Sequence, residues 1–104
     1  MVIDMKKGMS YTVKDWFANK VANEVKRNIN MCDVFAILKE SDKAVYAMLN
    51  LGCDFKRTMW IPKSVLVENE IGEDVNGAFN YETLFIEDYD EAVKSFSAHW
   101  ATFR

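Results

Sequence analysis

Histidine and proline occur once each in the 104 residues, cysteine twice and glycine four times. With so little Pro and Gly, and charged residues at 28%, the chain lacks the composition of a disordered segment. Having only His99 removes most nucleophile–base chemistry. Ser64 sits outside any Gly-x-Ser-x-Gly context and has no second histidine to activate it. His99 lies beside Trp100 on a helical stripe and reads as a half-exposed structural side chain rather than a general base. Cys32 and Cys53 are far apart and form no Cys-x-x-Cys or Cys/His ligand spacing. They read as two reduced thiols of a cytoplasmic protein, not as a zinc site or a disulfide. EF-hand spacing and a Gly-rich phosphate loop are also missing. No cofactor and no metal are implied, and the chain reads as a non-enzyme. The longest apolar runs, Val34–Leu38 and Val45–Leu49, are too short to span a bilayer, so no membrane association is expected. The opening "MVIDMKKGMS" has neither the apolar stretch nor the cleavage site of a secretion signal.

What is present supports one packed domain over residues 1–104. Half of the residues are apolar and seven are Phe, enough for a core without covalent staples. The net charge of −3 conceals an uneven layout. Residues 1–30 are mildly basic. The segment 68–91 carries Glu68, Glu70, Glu73, Asp74, Glu82, Glu87, Asp88, Asp90 and Glu91 with no Lys or Arg among them. Such a segment disfavours non-specific contact with nucleic acid or an anionic membrane, and suits a partner with a basic surface. It also fits a merely solvated loop and helix start.

Periodicity gives the elements. Val13, Trp16, Phe17, Val21, Val25 and Ile29 follow spacings of three and four, which predicts a helix over 12–29, with Ser10 or Thr12 as its cap and Asn28–Asn30 as its stop. Cys32–Lys39 and Ala44–Leu51 predict strands joined by the polar turn Glu40–Lys43, hence an antiparallel pair. After a reversal at Gly52–Lys56, Arg57–Ile61 predicts a third strand, with Val65–Val67 as an extension. Residues 68–77 read as loop, and Ala78–Ile86 as a fourth strand. Asp88 or Asp90 then opens a helix with the stripe Tyr89, Ala92, Val93, Phe96, Trp100 and Phe103. The expected fold is α+β, a small antiparallel sheet of three to four strands flanked by an N-terminal and a C-terminal helix. The expected core comprises Trp16, Phe17, Val25, Val34, Leu38, Val45, Val93, Phe96 and Trp100.

The stretch "MWIPKSVL" (59–66) stands out. Pro62 has no amide hydrogen and cannot lie in a central ladder, so it marks an edge, a bulge or a strand exit. Trp60 and Ile61 face opposite sides of a regular strand, so one is core and the other is not. Together with "SDKAVYAMLNLG", this stretch resembles small phage and prophage proteins with a Lys-Ala-aliphatic strand followed by a Trp-aliphatic-Pro-Lys-Ser strand end. The matching residues are Lys43, Ala44, Val45, Trp60, Ile61, Pro62, Lys63 and Ser64. The resemblance covers about a quarter of the chain. It implies origin in a mobile element and action by binding a host protein in the host cytoplasm. Inhibitors of CRISPR nucleases are a prominent class of such proteins.

Two binding readings remain open. In one, Glu68, Glu70, Glu73, Asp74, Glu82 and Asp88 form an acidic surface that docks on a basic host protein and competes there with nucleic acid. Exposed aromatics such as Tyr81 or Tyr89 would add apolar contact. In the other, Lys56, Arg57, Trp60 and Lys63 lie on a hairpin face, beside Tyr46 and Phe55, that stacks bases and tracks phosphates. A strand ended by Pro62 also offers a free sheet edge through which a homodimer can form.

Overall fold

The computed structural model describes residues 5–26, 29, 31–52, 55–73, 75, 77 and 79–102. The chain is α+β. In order it forms β1 (Ser10–Val13), α1 (Asp15–Val25), β2 (Asp33–Glu40), β3 (Ala44–Gly52), β4 (Phe55–Pro62), a 3-10 turn (Lys63–Val65), β5 (Leu66–Asn69), β6 (Gly72–Glu73), β7 (Phe79–Asn80), β8 (Leu84–Phe85) and α2 (Tyr89–Ala101). The main sheet runs β4-β3-β2-β1-β5, with β8 alongside β2; β6 and β7 form a separate two-stranded ladder. It therefore exceeds the expected three to four strands. Each neighbouring pair along that path is antiparallel, and β8 alone runs parallel to β2.

The sheet curls. β4 and β5 lie at opposite ends of the strand order, yet only three residues connect them. The connection is the Pro62–Val65 corner. Pro62 ends the edge strand, where its missing amide hydrogen leaves no ladder bond unmade. The N–H of Lys63 then donates to the Lys43 carbonyl at 2.8 Å, and the N–H of Lys14 donates to the Val65 carbonyl at 2.9 Å. Ile61 is buried and Trp60 is exposed, as the alternation requires. The tryptophan-to-serine motif is thus the closing corner of a curled sheet.

Each helix covers a different face. Phe17 and Val21 of α1 fill the concave side against Tyr11, Val34, Val45, Leu49 and Ile61. Ala92 and Phe96 of α2 pack on the other side against Ala36, Leu38 and Met48. β2 serves both cores because it is bulged twice. Val34 opposes Leu49 but Ala36 opposes Met48, and Ile37 opposes Ala47 but Lys39 opposes Tyr46. The extra residues, Phe35 and Leu38, both join the α2 core, which explains an apolar run, "VFAIL", with no alternation.

Several local expectations are corrected. The predicted helix over 12–29 is shorter, because Ser10, Thr12 and Val13 belong to β1 and Lys26 adopts the left-handed conformation (φ 56°). Ser10 and Thr12 do not cap it: Lys14 holds the N-cap position without a side-chain bond, and Thr12 instead accepts from Asn69 at 3.1 Å. Trp16 is 59% exposed rather than core, since Phe17 and Val21 define the buried line and Trp16 sits a helical step off it, edge-on to Phe17. Phe17, Val34, Leu38, Val45 and Phe96 are buried, while Val25, Val93 and Trp100 are half-buried. Phe55 and Lys56 lie in β4 rather than in the reversal. The segment expected as loop contains β5 and β6, and the expected fourth strand is divided into β7 and β8. Asn28, Asn30, Cys53, Asp74 and Phe103 lie outside the described residues.

Thr83 explains that division. The β1 side of β2 is shared: β1 pairs with Asp33 and Val34, then β8 takes over at Ala36 and Ile37. Where β1 leaves, the Thr83 hydroxyl accepts from Tyr11 N–H at 2.8 Å and donates to the Val34 carbonyl at 2.8 Å. Its own N–H donates to Met9 at 2.9 Å. A fully buried side chain thus satisfies ladder groups that the parting strands leave open.

Candidate interaction surface

The residues leading into β8 run between two depressions. On one side, Glu68, Glu70 and Glu73 gather with Ile71 and Val75 around Asn80 at the β5–β6 end of the molecule. On the other, Tyr81 and Glu82 close a cavity of about 280 Å³ whose walls are Asp33, Val34, Phe35 and Asn50 of the sheet, Leu84, and Ser95 and His99 of α2. Between them Phe79 and Tyr81, 51% and 46% exposed, lie with ring centroids 4.7 Å apart. Tyr81 meets the His99 ring edge-on at 4.9 Å, and His99 meets Phe35 at 5.6 Å. An aromatic ridge therefore separates an acidic edge from an acidic cavity. Single exposed apolar side chains are ordinary, but Ile71 and Val75 share one depression and Phe79 and Tyr81 are in ring contact.

The expected acidic set is only partly brought together. Glu68, Glu70 and Glu73 share one depression, with Glu68 4.0 Å from Lys6. Glu82 faces the cavity across the ridge. Asp88 is the N-cap of α2, accepting from Asp90 and Glu91 N–H at 2.8 and 3.4 Å.

The expected basic set is dispersed. Lys56 lies over the Phe96 ring at 5.3 Å on the α2 side of the sheet. Arg57, one residue on, is an ion pair with Glu24 of α1 at 3.4 Å, on the concave side. Lys63 is 5% exposed and bonds Glu40 at 2.5 Å, so it belongs to the corner and not to a surface. Trp60 is tilted against Tyr46 at 5.4 Å. What survives on one face is Tyr46, Trp60 and Lys56, joined by exposed Lys39, which opposes Tyr46 across the ladder.

Electrostatics single out Asp33, which the sequence did not. Burial raises its carboxyl above the ordinary aspartate value, and no ion pair or hydrogen bond to that carboxyl forms among the described residues. Burial, followed by the charge of Asp33, pushes the Cys32 thiol up to about 12, so this free cysteine is protonated and unreactive at neutral pH. Burial lowers the His99 imidazole below its usual value. The cavity is thus lined by two acidic residues and by a histidine whose pKa burial lowers. Asp33 carried no sequence signal, because its sharing of a cavity with Tyr81 depends on the shared flank of β2. Among the described residues, no group of three or more His, Cys, Asp or Glu side chains converges as a metal site would, and no helix is long and apolar enough to cross a membrane.

No protein-family model, curated protein or solved structure matches the chain.

Proposed function

We propose that the chain is a non-catalytic binding protein of a phage or other mobile element, acting in the host cytoplasm. It docks on a basic surface of a host protein and competes there with nucleic acid, as an inhibitor of a defence nuclease does. The observation that carries this reading is the grouping of Glu68, Glu70 and Glu73 with exposed Ile71 and Val75 in one depression, whose wall residue Asn80 is flanked in the chain by exposed Phe79 and Tyr81. Carboxylates alone speed encounter; apolar and aromatic side chains beside them supply the desolvated contact that holds a complex. Glu82 extends the acid beyond the ridge.

The test uses Glu68→Gln, Glu70→Gln and Glu73→Gln together. A host protein captured on the parent chain is titrated against both forms over a range of salt concentrations, with DNA as competitor. The expected result is slower association of the variant, about tenfold at low salt and converging at high salt, with DNA displacing the parent. Equal affinity at every salt concentration in a folded variant overturns the reading.

A second reading rests on one observation, the Tyr46–Trp60 pair with Lys56 and Lys39 on the face of β3 and β4. Stacked aromatics flanked by lysines suit single-stranded nucleic acid. Loss of Arg57 and Lys63 to ion pairs leaves this face two of its four expected residues. Retention of single-stranded DNA by the parent, abolished by Trp60→Ala, would place it first.

A further inference from the structure

We propose that the cavity between α2, the start of β2 and the Tyr81–Leu84 segment is a pocket for a guanidinium group, the anchor site for one arginine side chain of the partner. The inference rests on the protein-partner reading for its biological occupant, though not for its chemistry. The volume of about 280 Å³ lies just below the range of small-molecule sites, which suits one long side chain better than a cofactor. Asp33 and Glu82 line the cavity, and no Lys or Arg is among its described lining residues. Phe35 and Tyr81 each set a ring against that of His99. A planar cation stacks on such rings and donates in parallel to a carboxylate, which an ammonium does less well.

The state of the titratable groups agrees. Burial shifts His99 toward its neutral form, which disfavours a positive charge there. Asp33 is half-buried with no ion pair to its carboxyl among the described residues, and an entering cation offsets the cost of its charge. Of the other ionisable residues at the wall, Tyr81 is a phenol and Glu82 is an acid like Asp33. The acidic residues among the described lining therefore favour the same occupant.

The probe is N-acetyl-arginine methylamide, followed by NMR of the ring protons of Phe35, Tyr81 and His99. Saturable shifts with a Kd of about 1 mM are expected, the scale of one cation–π contact and one charge-assisted hydrogen bond. The citrulline analogue, equal in shape and neutral, should bind at least about tenfold more weakly. Asp33→Asn should remain folded and lose arginine binding to a similar degree. The triple Gln variant of the acidic edge should bind the probe as the parent does. Absence of shifts, equal binding of citrulline, or unchanged affinity in folded Asp33→Asn overturns the pocket. Equal binding of the lysine analogue overturns the guanidinium assignment. A pocket that binds arginine in a chain whose edge variant keeps full partner affinity leaves this inference standing and removes the edge reading.

Discussion

Two side chains carry disproportionate consequences. Thr83 closes a gap in the backbone ladder with one hydroxyl that donates and accepts at 2.8 Å. Thr83→Val keeps the shape and strands Tyr11 N–H and the Val34 carbonyl in the core, each at about 1–3 kcal/mol. Denaturant unfolding should show a loss of about 2–6 kcal/mol, and a loss under about 1 kcal/mol would mean that the strands re-pair without it. Asp33 acts in the opposite sense. Its carboxyl is raised in the folded state, so the native protein holds its proton to higher pH than the unfolded chain does. The penalty is absent below the ordinary aspartate value, grows as pH rises through the folded value, and is complete above it. Asp33→Asn should therefore raise Tm at neutral pH and leave it unchanged in acid. A Tm gain of equal size at both ends of that range would separate the effect from ionisation.

At the scale of elements, α2 depends on its ends and on one buried ring. Asp88 satisfies two orphan amides of the first turn, and Asp90 and Glu91 complement the dipole there. Asp88→Ala should cost about 1 kcal/mol, read as a lower Tm with an unaltered core. Phe96 is the only aromatic of α2 that is fully buried, among Ala36, Leu38 and Met48. Phe96→Ala should cost about 3–5 kcal/mol; an unchanged melting temperature would show that α2 does not cover this face. The stripe on α2 was legible because helical spacing selects one face whatever lies beneath it. Tyr89 belongs to the same stripe yet is exposed, whereas Ala92 and Phe96 further along it are buried. On α1 the same rule erred at Trp16, because a short helix laid into a concave sheet buries a narrow line, here Phe17 and Val21.

The whole molecule divides into a tight centre and a loose edge. β2 and β3 are flanked on both sides and covered on both faces, whereas β6 and β7 pair over two residues each. A ladder that short has little stability of its own. Hydrogen exchange should show the amides of Val34–Leu38 and Ala47–Leu49 opening only with global unfolding. Those of the β6–β7 ladder should exchange through local opening several orders of magnitude faster. Equal protection would mean that the ridge is rigid. A partner that fastens the edge should slow exchange there first.

The sequence by itself determined the α+β class, the β2–β3 pairing, the role of Pro62 as a strand exit and the stripe of α2. Each follows from short-range chemistry: side-chain period, a missing amide hydrogen, a turn too short for a crossover. Only the tertiary structure decided that the sheet curls, that β2 bulges twice, and that Thr83 divides one strand into two. It alone buried Lys63, paired Arg57 with Glu24, and brought Asp33, Tyr81 and His99 to the walls of one cavity. Those outcomes depend on which strands meet across the curl. Contacts between residues some 50 positions apart, such as Thr83 with Val34, leave no local period in the chain.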